Sequence, residues 1–156
     1  KGKCEWGPRA LGNRSILADP RNPNIKDIIN EKIKRRENFR PFAPAVIEEK
    51  AHEYFNISRS SPHMLFVVDA KDNIKKILPA VVHVDNTCRV QTVSKSNNII
   101  FYNLLKKFEE ISKIPVLLNT SFNENEPIVQ KPEEAFNCFE RTKMDCLILE
   151  NWLIYR

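Results

Sequence analysis

Two polar segments near the start of the chain carry the residue types of an anion-binding site. Residues 7–15 place Arg9 between two glycines, and residues 34–44 supply Lys34 and Arg40 beside two prolines. A glycine backbone can approach a ligand closely, and arginine can donate two parallel hydrogen bonds to a phosphate. Lysine adds a mobile point charge. The pattern predicts that both segments face a phosphorylated ligand.

Two further groups of candidate residues lie on predicted strands. Arg89 belongs to the apolar run 88–93, where an unpaired charge is costly, so it needs either an internal carboxylate or a ligand. The buried run 116–118 passes directly into the polar residues of 119–123. Polar residues that follow a buried strand often supply ligand contacts at the edge of a sheet. The sequence therefore predicts a second half of the site on these strands.

Hydrophobic periodicity predicts the elements that position these residues. Helical spacing of isoleucines predicts a helix over 25–36 with Asn24 as its N-cap, and a long helix over 99–111 that we expect to be core. Pro132 and the two acids after it predict the start of another helix. The alternation of helices and strands predicts an α/β sandwich with a mixed sheet. The other predicted elements are a short helix over 48–55 and strands over 64–68, 80–84, 88–93, 146–149 and 152–155.

Length and composition indicate one ordinary domain. The chain has 156 residues, 42% of them hydrophobic and 29% charged, and a formal net charge of +5, which favours anionic ligands such as nucleotides. No apolar run approaches the roughly 20 residues of a membrane span, so we expect no membrane partner. Four cysteines without C-x-x-C spacing predict reduced thiols and a cytoplasmic location. A busy site so close to a terminus also predicts a C-terminal portion of a longer protein.

The ordered motifs resemble those of a known enzyme family. Over essentially its whole length, the chain is similar to the C-terminal domain of the nodulation and antibiotic O-carbamoyltransferases. Each block alone is a weak signal, whereas all of them in register are a strong one. The blocks are residues 2–17, Phe39-Arg40-Pro41-Phe42-Ala43-Pro44, Arg89-Val90-Gln91-Thr92-Val93, Asn119-Thr120-Ser121-Phe122-Asn123, Glu126-Pro127-Ile128-Val129 and the helix at Pro132.

This resemblance implies a fold and a reaction. The fold would be YrdC-like, an open twisted mixed β-sheet flanked by helices, fused behind an ATPase-fold transferase domain that is absent here. Carbamoyl phosphate would be hydrolysed to carbamate, which attacks the α-phosphorus of ATP to give carbamoyl-adenylate and pyrophosphate. The upstream domain would then transfer the carbamoyl group to a substrate hydroxyl. ATP and carbamoyl phosphate are the implied ligands, with Mg²⁺ as cofactor.

The resemblance also implies roles for individual residues. ATP and carbamoyl phosphate are both polyanions, which repel each other unless fixed cations neutralise them. Neutral asparagine and serine can hydrogen-bond a carbamoyl group without adding charge. The implied catalytic residues are Lys34 and Arg40, and the implied substrate and nucleotide ligands are Arg9, Arg89, Asn119, Ser121 and Asn123, with Ser121 and Asn123 as an S-x-N pair similar to that of YrdC-type domains.

Two functions from other classes compete with this enzyme. The excess of basic residues and the association of YrdC-like domains with tRNA suggest a nucleic-acid-binding module. Proteins that bind single strands, however, interleave aromatic residues with a row of basic ones, and this chain does not. The second alternative is a catalytically idle nucleotide-binding module. Binding of ATP with or without pyrophosphate exchange distinguishes the three.

Metal ligands and a general base are not evident in the sequence. Glu5 and Asp19 are the candidates for water-mediated Mg²⁺ contacts, whereas His83 and Asp85 are interpreted as a hydrogen-bonded turn. None of the three histidines lies in a matched block, so the sequence predicts no general base and no hydroxyl carbamoylation by the isolated chain. Trp6 and Trp152 are predicted packing residues.

Overall fold

A mixed four-stranded sheet forms the centre of the computed structural model, which describes residues 1–156. Its strands lie in the order β1 (Ser15–Ala18), β6 (Val116–Ser121), β2 (Ala43–Ile47) and β5 (Gln91–Val93). β6 is antiparallel to β1 and β2, whereas β2 and β5 run parallel. The predicted mixed α/β fold is therefore confirmed.

Two small antiparallel sheets and five helices surround this sheet. β3 (Val67–Asp69) pairs with β4 (Thr87–Arg89), and β7 (Cys146–Leu149) pairs with β8 (Trp152–Tyr155). None of the helices combines the length and apolarity that a bilayer crossing demands. The helices are α1 (Ile25–Ile28), continued by a π-helical turn at Ile29–Ile33, α2 (Ala51–Tyr54) after a 3₁₀ turn at Glu48–Lys50, α3 (Ile74–Ile77), α4 (Ile99–Ser112) and α5 (Pro132–Arg141).

The central sheet buries apolar side chains on both faces, because successive strand residues point to opposite sides. Val116 and Leu118 of β6 join a cluster of 24 buried residues, while Leu117 between them joins a second cluster of seven. The second cluster is covered by Phe101 and Leu105 of α4. The first half of β6 is thus fixed by packing on both faces, and the polar residues at its carboxyl end follow directly from it.

The predicted long helix is present, but its buried face differs from the prediction. Asn98 caps its start by accepting a hydrogen bond from the amide of Phe101 at 3.0 Å, and the left-handed Lys113 ends it. The predicted core residue Leu105 is buried, whereas Ile99, Ile100, Leu104 and Ile111 of the same prediction are exposed. Phe101 and Tyr102 are buried in their place. Aromatic side chains at adjacent positions pack into the core because they bury more apolar surface area than the aliphatic ones.

Several other sequence expectations are corrected by the structure. The helix predicted over 25–36 ends at Ile33 as a π turn, and the Asn24 side chain makes no capping hydrogen bond. The run 80–84 forms turns rather than a strand, with Ala80, Val81 and Val82 buried and Val84 exposed, since an apolar run indicates burial without specifying a pairing partner. Trp6 and Trp152 are exposed instead of packed.

The N-terminal loop depends on Gly12 for its packing. Gly12 has φ +125°, and a Cβ there would lie 2.6 Å from Cδ1 and 2.9 Å from Cγ of Phe101. We expect Gly12→Ala to lower the free energy of unfolding by about 3 kcal/mol or more, since strain and overpacking add. Gly7→Ala is the matched control, because Gly7 has φ +105° with nothing within 4 Å, and we expect about 1–2 kcal/mol. Urea unfolding measures both, and equal losses would contradict a role for the Phe101 contact.

Candidate ligand-binding cavity

A cavity of about 410 Å³ opens where the N-terminal loop, the segment after the π turn and the ends of β4 and β6 meet. Its apolar wall includes Phe42, Met64 and Val67. Its polar wall contains four arginines and no acidic residue. The cavity is therefore a concave surface of strongly positive charge. Its polar lining residues are Arg9, Arg36, Arg40, His83, Arg89, Asn119, Thr120 and Ser121.

The cavity brings together five of the seven predicted site residues. The other two, Lys34 and Asn123, are not part of its wall, but both contact the lining residue Ser121. The roles predicted for the seven stay predictions, since no ligand is present. The five lining residues are Arg9, Arg40, Arg89, Asn119 and Ser121.

Arg89 makes no ion pair with an internal carboxylate. Its Nε is buried and has no hydrogen-bond partner. Burial and, to a lesser degree, the neighbouring Arg9 lower the pKa of the Arg89 guanidinium. A buried donor without an acceptor is costly, and the cost is higher for a charged group. The structure thus provides no internal carboxylate for Arg89, and its role in binding a ligand stays a prediction.

Asn119 lies fully buried in the centre of the sheet, and the oxygen of its side-chain amide accepts no hydrogen bond. Its Nδ2 donates to the carbonyl of Ala10 at 3.2 Å and to Oε1 of Gln91 at 2.7 Å. The Ala10 carbonyl can only accept, so it fixes which end of the Asn119 amide carries the nitrogen. The Oδ1 atom is buried and unpartnered. The site thus holds a neutral acceptor beside its cations.

A buried asparagine of the π turn positions two cavity arginines. Asn30 accepts from Nε of Arg36 at 2.7 Å, and its Nδ2 donates to the carbonyl of Arg40 at 3.0 Å. The Arg36 guanidinium also lies 4.8 Å from the centre of the Phe42 ring. Burial and the charge of Arg40 lower the pKa of Arg36. Asn30 therefore holds the Arg36 side chain and the Arg40 backbone together in spite of the repulsion between the two cations.

Lys34 braces the loop that ends β6. The π turn places its ammonium group among four oxygens of Ser121 and Asn123, at 2.5 and 3.1 Å from O and Oγ of Ser121 and 2.8 and 2.6 Å from O and Oδ1 of Asn123. The residue is 2% exposed, so the mobile charge expected from the sequence is held in place. Burial, with a smaller contribution from Arg36, lowers the pKa of Lys34 to about 7. In this structure Lys34 positions Ser121 and does not enter the cavity.

Glu5 organises the glycine-containing loop and does not face the cavity. Its Oε1 accepts from the backbone amides of Leu11, Asn13 and Arg14 at 2.8, 2.7 and 3.2 Å. The other Mg²⁺ candidate, Asp19, is bound by Arg21 through both oxygens. No group of three or more potential metal ligands occurs in the structure. The expectation that these two carboxylates assist Mg²⁺ through water stays a prediction.

Sequence reasoning missed three polar lining residues, Arg36, His83 and Thr120, of which Arg36 and His83 are titratable. Arg36 was not predicted because, in a helix extending to residue 36, neighbouring cations would lie on different faces of the helix. In the structure the helix ends at Ile33. The three consecutive cations 34–36 were the available signal. His83 lies in the hydrogen-bonded turn predicted with Asp85, and that turn also forms part of the cavity wall. The prediction that the chain supplies no general base for the hydroxyl transfer stays a prediction.

Comparisons with known proteins cover the whole chain. The carbamoyltransferase C-terminus family model matches residues 1–156. Nodulation protein NolNO of Sinorhizobium fredii is 48% identical over 158 residues, which cover 99% of this chain and 23% of that protein. Uncharacterized protein MJ1058 of Methanocaldococcus jannaschii is 44% identical over 157 residues, 100% of this chain and 26% of that protein. Nodulation protein U of Rhizobium tropici is 45% identical over 122 residues, 78% of this chain and 21% of that protein. The chain spans about a quarter of the length of these curated relatives.

Proposed function

This chain belongs to the carbamoyltransferase C-terminus family, and on that premise we propose that its cavity binds ATP and carbamoyl phosphate and forms carbamoyl-adenylate. The complete protein then acts as an O-carbamoyltransferase. Carbamate from carbamoyl phosphate attacks the α-phosphorus of ATP, and pyrophosphate leaves. A second domain of the same polypeptide passes the carbamoyl group to a substrate hydroxyl.

One observation carries the proposal, namely that two residues of the cavity wall each hold a buried polar atom without a hydrogen-bond partner. Nε of Arg89 is a charged donor, and Oδ1 of Asn119 is a neutral acceptor. A phosphate supplies acceptors for the first, and the NH₂ of a carbamoyl group supplies a donor for the second. A ligand with only phosphate groups would leave Asn119 unsatisfied. A carbamoylated phosphate compound satisfies both.

The remaining cations fit the charge that the reaction gathers. Arg9, Arg36 and Arg40 lie on the same wall, and their fixed charges offset the repulsion between two polyanionic substrates. They also stabilise the pyrophosphate that leaves. Lys34 contributes by holding Ser121 at the end of β6. Catalysis here is positioning and electrostatic stabilisation, without covalent attachment to the protein.

The cavity residues do not fit a Mg²⁺ ion held by the protein. Magnesium prefers oxygen ligands, usually including one or two carboxylates, and the lining has no acidic side chain. The proposal therefore contains no step through that metal. ATP enters the tests below as its magnesium complex because that is its common form in solution.

The relatives are longer than this chain, which bears on the transfer step. The chain spans 23% of NolNO and 26% of MJ1058. We assign the choice of hydroxyl acceptor to the remaining length of such a polypeptide. The location that we propose for the whole protein is the cytoplasm, where both phosphorylated substrates are available.

Two measurements on the chain test this function. Calorimetry should detect weak binding of Mg-ATP or AMP to a sample that melts cooperatively. Exchange of labelled pyrophosphate into ATP should require carbamoyl phosphate, because the adenylate forms only when carbamate is present. Binding without exchange would support an idle nucleotide-binding module. Absence of binding by a folded sample would contradict the proposal, and tight binding of tRNA in its place would favour a nucleic-acid-binding module.

A further inference from the structure

His83 is the one side chain in the cavity wall that can take up a proton at neutral pH. The other titratable lining residues are arginines, whose guanidinium groups stay protonated and can only donate. The asparagine, threonine and serine of the wall are not bases in this pH range. A proton released by a reaction inside the cavity therefore has a single acceptor among the lining side chains.

A hydrogen-bonded relay fixes the tautomer of this histidine. Oγ1 of Thr87 lies 2.8 Å from Oδ1 of Asp85 and 2.9 Å from Nδ1 of His83. Asp85 also accepts from the amide of Thr87 at 3.0 Å, and these hydrogen bonds lower its pKa, so the carboxylate is ionised and can only accept. The single hydroxyl proton of Thr87 must therefore point to Asp85. The hydroxyl oxygen then accepts from Nδ1–H, which leaves a lone pair on Nε2 of the neutral ring.

The backbone of the turn and the surrounding charges keep this arrangement. The amide of His83 donates to the carbonyl of Thr87 at 2.8 Å, and the amide of Asn86 donates back to His83 at 3.1 Å. Burial is the main cause that lowers the pKa of His83 below 6.5, and Arg89 and Lys26 lower it further against the opposing effect of Asp85. The ring is therefore neutral at physiological pH. Nε2 is free to accept a proton.

We propose that His83 is the general base that takes a proton from the water that hydrolyses carbamoyl phosphate. The inference rests on the function proposed above. The water oxygen bonds to the carbonyl carbon while its proton passes to Nε2. The carbon–oxygen bond to phosphate then breaks with its electron pair on phosphate, which takes the proton back from Nε2 and leaves as hydrogenphosphate. The carbamic acid formed loses its hydroxyl proton to solvent, and carbamate remains for attack on ATP.

The rate of phosphate release from carbamoyl phosphate, measured with Mg-ATP present and corrected for spontaneous decomposition, tests this role. We expect His83→Gln to lower the rate by about 100-fold or more, the usual contribution of a general base. The wild-type rate should fall on the acidic side with a midpoint below pH 6.5, because the neutral ring is lost as pH decreases through its lowered pKa. The residual rate of the variant should lack this acidic limb. Calorimetry should show unchanged Mg-ATP binding, which establishes an intact cavity.

Two further variants separate catalysis from structure. His52 is exposed on α2, outside the cavity, and His52→Gln should keep the wild-type rate and pH profile. Thr87→Val removes the acceptor for Nδ1–H and should shift the acidic limb. Nitrogen NMR of the histidine-labelled chain should show the proton of His83 on Nδ1.

The outcomes distinguish this inference from the proposed function. An unchanged rate and an unchanged acidic limb of the pH profile in His83→Gln would overturn the inference alone, and so would a proton found on Nε2 of His83. Phosphate release by the wild type would still support the proposed reaction in either case. Failure of the folded wild-type chain to release phosphate would overturn the reaction and the role of His83 with it.

Discussion

Replacing Arg89 with methionine is expected to weaken ATP binding by about 100-fold and, at the same time, to stabilise the ligand-free chain by about 1–2 kcal/mol. The two effects have one cause. Nε of Arg89 is buried without an acceptor, and Arg9 adds like-charge repulsion. The ligand-free fold carries this cost, and a bound phosphate removes it. Methionine keeps a flexible stem of similar length without the charge.

Calorimetry with Mg-ATP and urea unfolding without ligand measure the two effects on the same samples. Arg35→Met is the matched control, because Arg35 is exposed, lies outside the cavity wall and pairs with Glu124 at 2.9 Å. This control should bind ATP as the wild type does. A destabilised Arg89→Met variant with normal ATP affinity would show that Arg89 supports the fold and not the ligand.

The candidate site was predictable from the sequence where local chemistry decides it. The glycine loop, Arg40 between the π turn and two prolines, and Asn119 at the end of a buried strand were all recognised from residue type and order. Each lies in the cavity wall or the loop beside it. Local backbone preferences and strand alternation indicate the conformation of each segment, and the family resemblance indicates that the segments share one site.

The sequence was less informative where distant segments decide the outcome. Lys34 is one of three consecutive cations, and only the π turn determines that it meets Ser121 and Asn123, which lie almost ninety residues away. His83 enters the wall because the run 80–84 forms turns anchored by the buried residues 80–82, whereas its pattern favours a strand. Hydrophobic periodicity reports burial but carries no information about the pairing partner.

Arg40→Ala is expected to abolish detectable carbamoyl-adenylate formation by the complete protein, a loss of at least about 100-fold, with the fold unchanged. The Arg40 side chain is half exposed, and its ion pair with Glu37 spans 3.9 Å, so this pair contributes at most about 0.5 kcal/mol. Its backbone is held independently of the side chain, through the carbonyl that accepts from Asn30 and the amide that donates to Glu37. Truncation therefore removes a cation from the cavity wall and little else.

Pyrophosphate exchange that depends on carbamoyl phosphate measures the first expectation, and thermal unfolding measures the second. Glu37→Gln is the matched control, because it removes the ion-pair partner of Arg40 and leaves the guanidinium in the wall. This variant should keep the exchange rate. If Arg40→Ala also kept the exchange rate, the charge of Arg40 would not act on the leaving pyrophosphate. Arg36, which Asn30 holds on the same wall, would then be the arginine of this segment that carries the role. A loss of exchange accompanied by a lower melting temperature would instead place Arg40 among the residues that maintain the fold, contrary to the positions of its backbone hydrogen bonds.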